Sequence, residues 1–195
     1  MDYSKVIENV IKYGGIIGGL IAFFKSLKEY ENAQKWKKAE FLAKEAKEFF
    51  ADKNVSRSLL FLDYKENDIP IYENEIEGLK ILHYDSKLLV SALDSTREIT
   101  ELTKEEKLIR KIFDDFLTKL GFFNNYIETK LIKIEDLRPY LEYWLIILAN
   151  PQISKRNPYL MNKIWEYIDK YAQDDVRSLV YRFGFKPTFK PKNQD

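Results

Sequence analysis

Apolar and polar positions alternate along this chain in blocks of different period, and the first block is the least ordinary. Tyr13 to Phe24 is free of charge, and extending the run back to Val6 adds only Glu8, Asn9 and Lys12 as polar interruptions. As a helix the shorter run covers about 18 Å and the longer about 28 Å, against ~30 Å for the hydrocarbon layer of a bilayer. Gly14, Gly15, Gly18 and Gly19 lie inside it as two overlapping small-xxx-small pairs, a spacing that lets a second backbone approach one helix face. In water each glycine costs a helix about 1 kcal/mol relative to alanine. The run therefore predicts a transmembrane helix carrying a self-association seam. A first core helix of a soluble bundle and an amphipathic surface helix are the competing readings.

Lys25, Lys28, Lys35, Lys37 and Lys38 follow the run, whereas its N-terminal side shows no basic excess. By the positive-inside rule this distribution predicts a single pass in the inner (cytoplasmic) membrane with the bulk of the chain in the cytoplasm. The soluble reading makes the whole chain cytoplasmic. The leading residues are not basic and no small-residue cleavage site follows, which argues against a secretory signal.

Beyond the run the period is helical. Trp36, Ala39, Leu42, Ala43, Ala46, Phe49 and Phe50 recur at spacings of three and four among lysines and glutamates. A turn around Asp52 to Asn54 and a short helix through Leu59, Leu60 and Leu62 follow. Ile69 to Tyr84 alternates instead, broken by Pro70 and Gly78, which predicts a hairpin or extended loop. "SKLLVSALD" resumes helix. Thr103 and Glu106 form a capping box ahead of the stripe Leu108, Ile109, Ile112, Phe113, Phe116, Leu117 and Leu120, with Gly121 as the expected C-terminal cap. Further helices are predicted from about Phe122 to Leu131, from Glu135 to Ala149, from the cap Asn157–Pro158, and from Asp174 to Phe183 before Gly184. The Glu135–Ala149 segment is apolar nearly all round, which predicts a central position. The sum is an all-α irregular bundle preceded by a long N-terminal helix, with a small extended segment near 69–84. Its expected division is an apolar helix over 1–30, a helical domain over 31–186 and a tail over 187–195.

Composition narrows the chemistry. Across 195 residues there is no cysteine, one histidine and a net charge of +1. Thiolate chemistry, disulfides and zinc fingers are excluded, and the charge balance disfavours a strongly electrostatic nucleic-acid binder. His83 stands alone, so it reads as a surface or half-buried polar residue rather than a ligand or triad member. Asp114–Asp115 reads as a solvated, salt-bridged face with Arg110, Lys111 and Lys119, and Asp174–Asp175 as a helix N-terminus. No catalytic, metal or cofactor-binding residues are assigned, and the chain is not expected to be an enzyme. Arg177, Arg182, Lys186, Lys190 and Lys192 interleave with Tyr181, Phe183, Phe185 and Phe189, a pattern suited to tail packing, lipid headgroups or single-stranded nucleic acid.

The apolar helix with its glycines, then "AQKWKKAEFLAKEAKEFFADKNV" and "IRKIFDDFLTKLGFFNNYIETKLIKIEDLRPYLEYWLIIL", resembles a widespread group of small uncharacterised bacterial proteins. In that group one membrane helix precedes a cytosolic helical domain of unknown function. The resemblance supports the anchor and implies no reaction or catalytic residue. With the glycine seam, the expectation is an anchored, self-associating sensor, adaptor or effector in a bacterial stress or phage-defence setting, with membrane lipids and a second copy or partner helix as partners. A soluble helical interaction module, or a nucleic-acid or nucleotide binder acting through the basic–aromatic C-terminal segment, are the alternatives.

Overall fold

The computed structural model describes residues 3–72, 75–149, 157–171 and 173–187, with side-chain surroundings described from Gly18 onward. Among these residues there are seven α-helices and one two-stranded sheet: α1 Tyr3–Ala51, α2 Lys53–Asp63, β1 Asn67–Pro70, β2 Ile81–Tyr84, α3 Ser86–Ala92, α4 Lys104–Glu128, α5 Ile134–Ala149, α6 Pro158–Lys170 and α7 Asp174–Arg182. The mostly helical architecture with a long first helix and a small hairpin is the one the hydrophobic periods predict. The chain divides into two compact units, Met1–Ala43 and Lys44–Asp195. The first consists of helix α1 up to Ala43; the second contains the remaining turns of α1 and every later element.

In the second unit α4 is the hub, packing against α2, α3 and α7, while α5 meets α2 and α7, and α6 meets α3 and α7. This corrects the expectation of a central α5. Leu137, Leu141, Leu145 and Leu148 of α5 are buried, but Tyr140 and Tyr143 are exposed. The core of α4 is the predicted stripe, with Ile109, Ile112 and Leu117 fully buried. Aromatic rings extend it: Phe49 packs on Phe116 and Phe123, and Phe113 on Phe116 and Tyr167.

Local signals place most boundaries. Asp52 caps α2 by accepting from the Asn54 and Val55 amides, so the turn between α1 and α2 contracts to this one residue. Thr103 and Glu106 close a reciprocal capping box on α4, satisfying two amide donors that the first turn leaves unpaired. Asn157 caps α6 with Pro158 in its first turn, and Gly184 adopts φ 87° after α7, a conformation that favours glycine. In the hairpin Asp68 faces His83 and Ile69 faces Leu82. Ile69, Leu82 and Tyr84 point inward, and the Tyr84 hydroxyl donates to the Leu60 carbonyl at 2.7 Å.

Gly121 is not a cap. α4 runs through it to Glu128, joining the two helices expected on either side. A Cβ at this position would lie 3.1 Å from the Asp175 Cβ. The glycine is there because α7 comes close, and its helix-breaking tendency is outweighed by that contact. Asp114 and Asp115 are likewise not a solvated face. Both are half-buried, with Asp114 accepting from the Tyr167 hydroxyl at 2.6 Å and Asp115 from the Asn54 amide. Asp174 and Asp175 do lie in the first turn of α7.

Candidate functional site

Two regions carry surface that the fold does not use. The first is the described apolar segment of α1. Leu20, Ile21, Phe23, Phe24 and Leu27 are exposed by 52, 64, 57, 64 and 42%. At about 100° per residue these five side chains fall within an arc of roughly 160°. Gly18, Ala22, Ser26 and Gly19 fill the opposite arc of about 100°. A Cβ built on Gly18 or Gly19 meets nothing within 4 Å. One helix thus presents a large-residue face and a small-residue face. Fully burying a Leu, Ile or Phe is worth about 1.5–3 kcal/mol, so five half-exposed ones leave on the order of 5 kcal/mol of burial unrealised in water.

Lys25, inside this segment, and Lys28, Lys35, Lys37 and Lys38, beyond it, are all exposed, and Lys25 makes a loose i,i+4 pair with Glu29 at 4.0 Å. Trp36, expected on the apolar stripe, is 78% exposed, whereas Leu42, Ala46 and Phe49 are buried. Among the described residues no helix is long and apolar enough to cross a membrane. Gly14 and Gly15, with the first half of the apolar run, lie outside the residues whose side chains are described.

The second region is a cleft within the Lys44–Asp195 unit, between the last turns of α1 and the C-terminal half of α4. It encloses about 370 Å³ and is lined by Glu45, Glu48, Phe49, Asp52, Lys119, Phe122, Phe123 and Tyr126. The Tyr126 hydroxyl donates to Glu45 at 2.7 Å. Burial and that carboxylate raise the Tyr126 pKa to about 12, so the phenol stays neutral. Lys119 pairs with Asp52. Burial opposes ionisation of Asp52, but Lys119 and the amides of Val55 and Asn54 overcome it and lower its pKa.

The remaining polar clusters are structural. Arg57, buried to 2% exposure, makes a bidentate pair with Glu75 at 2.8 and 2.9 Å and holds the hairpin loop to α2. Glu106 gathers Ser91, Arg97 and the Thr103 amide. Arg110 donates to the carbonyls of Ala92 and Asp94 and lies over the rings of Tyr167 and Tyr171. His83 is exposed and hydrogen-bonds Asp68 at 2.8 Å across the hairpin. Among the described residues no group of His, Asp and Glu is placed to hold a metal ion.

The basic–aromatic C-terminal segment is partly occupied. Arg177 pairs with Asp169, and Arg182 reaches Asn124 and Glu128 at 3.0 Å each. Phe183 is buried and covered by Arg138 at 5.4 Å. Lys186 is exposed, and Lys190 and Lys192 lie outside the described residues. The sequence pointed to the α1 segment through an uninterrupted apolar run. It did not point to the cleft, whose walls come from positions as far as 81 residues apart. Compared with known protein families, curated proteins and solved structures, the chain matches none.

Proposed function

We propose that the protein is a membrane-anchored, self-associating helical adaptor. Helix α1 supplies the anchor, and the helical domain after it is the part that engages other molecules. The observation that carries this reading is the exposed large-residue face of α1, Leu20 to Leu27, whereas most described leucines and phenylalanines of the later elements are buried, Phe122 and Leu131 being exposed. Exposed apolar surface of this extent marks a membrane or partner contact. The unbroken helix gives the reading its length. From Val6 to Leu27 it rises about 33 Å, comparable to a ~30 Å hydrocarbon layer, although Glu8, Lys12 and Lys25 fall within that length and the described part is by itself too short and too charged to cross. Lys25 and Lys28 have stems long enough to carry their ammonium groups toward the headgroups.

Large side chains on one face suit lipid tails, and glycines, alanine and serine on the other suit a second copy of the same helix. The exposed lysines that follow favour the cytoplasmic side for the domain. The resemblance to one-helix bacterial membrane proteins agrees with this arrangement, and a stress or phage-defence setting is part of the proposal for an anchored protein that acts by assembling. Co-flotation of the full chain with phosphatidylcholine–phosphatidylglycerol vesicles tests the anchor. The wild type floats, and replacing Leu20, Ile21, Phe23 and Phe24 together with serine leaves the protein at the bottom of the gradient. A wild type that stays at the bottom refutes the anchor. In the same vesicles a Gly14→Leu, Gly18→Leu double variant reduces cross-linked dimer several-fold; unchanged dimer refutes the seam.

A further inference from the structure

The cleft between α1 and α4 lines an apolar space with three carboxylates and one ammonium group. We infer that it is a binding site for an arginine side chain presented by a partner polypeptide. Glu45, Glu48 and Asp52 against Lys119 leave a net charge of −2 around the rings of Phe49, Phe122, Phe123 and Tyr126. A volume of about 370 Å³ sits at the small end of the ~300–1,000 Å³ range of ligand sites, which fits one long side chain rather than a large cofactor.

The interior already supplies what two of the carboxylates need. Asp52 holds Lys119, and Glu45 accepts the Tyr126 hydroxyl. Glu48 is the outlier: it is exposed, and its partner is Lys44 at 3.9 Å with both side chains more than 60% solvent-accessible. A pair of that kind contributes little and is easily exchanged. Phe122 contributes a ring that is 49% exposed at the same opening.

Phe49 and Phe123 are buried, so the surfaces open to a guest here are the exposed Phe122 ring and the exposed Glu48 carboxylate. Guanidinium suits both, because it is planar, weakly hydrated, stacks on rings and pairs with carboxylates through two parallel hydrogen bonds. An anionic guest meets repulsion, and a neutral aromatic one leaves Glu48 with nothing closer than its loose, solvent-exposed pair with Lys44. The site lies wholly within the helical domain and stands independently of the anchoring reading.

The test is titration of the full isotope-labelled chain in detergent micelles with N-acetyl-arginine amide, followed through the amide shifts of Phe122, Phe123 and Tyr126. N-acetyl-citrulline amide, the neutral isostere, is the control. Saturable shifts with the arginine compound, at least tenfold weaker with citrulline and weakened by added salt, support the site. Glu48→Gln and Phe122→Ala change exposed positions, so the fold tolerates them, and each is expected to weaken binding at least fivefold while Glu40→Gln does not. Equal shifts with citrulline, no saturation, or binding indifferent to both substitutions would overturn the inference.

Discussion

Glu75 and Glu106 are carboxylates that folding holds ionised, each with a pKa lowered to about 2. For Glu75 the main cause is its hydrogen bonds to Arg57. For Glu106 burial works the other way, and Arg97, Ser91 and the Thr103 amide outweigh it. In the unfolded chain both return to 4.5, so their stabilisation is complete above that pH and is lost as pH falls toward 2. Each contributes on the order of 2–3 kcal/mol at neutral pH. Asp114 acts in the opposite sense. Burial raises its pKa, so its contribution is present below 3.8 and fades as pH rises through the folded value. Glu75, Glu106 and Asp52, all lowered, outweigh Asp114, and the urea midpoint is expected to fall between about pH 5 and 2.5. Glu106→Gln should flatten that slope; a midpoint independent of pH would contradict the assignment. Tyr167→Phe removes the donor that Asp114 accepts and is expected to cost about 1–3 kcal/mol in the same assay.

At the scale of elements, the features legible in the sequence are those fixed by neighbours a few positions apart. The Thr103–Glu106 box, the Asn157–Pro158 start and the Gly184 stop all concern hydrogen bonds within one turn, so four or five residues suffice to read them. Gly121 misled because its role is tertiary: a close approach by the Asp175 side chain of α7, which no local pattern encodes. Gly121→Leu should lower stability by about 1–3 kcal/mol through overpacking against Asp175. If α4 instead ended at Gly121, the same change would cost little beyond the loss of a cap. Phe49 joins the end of α1 to α4 through Phe116 and Phe123, at ring separations of 6.2 and 5.2 Å. Phe49→Ala is expected to cost about 3–5 kcal/mol by chemical denaturation.

For the whole molecule, periodicity reveals a helical body with a long first helix, because hydrophobic spacing reports each element separately. It does not reveal which helix is the hub. α5 is the more apolar segment, yet α4 lies at the centre, with α2, α3 and α7 packed around it. The acidic–aromatic cleft was invisible for the same reason: Glu48 and Phe122 acquire their relation only when α1 and α4 pack. The apolar face of α1 was legible because it is local. Its exposed leucine, isoleucine and phenylalanines make the first helix the point on which location and mode of action depend. Alkaline carbonate extraction of membranes from cells producing the full chain addresses that dependence directly. The account predicts that the protein stays in the pellet and is released only by detergent; release into the alkaline supernatant as a monodisperse, detergent-free species would contradict it.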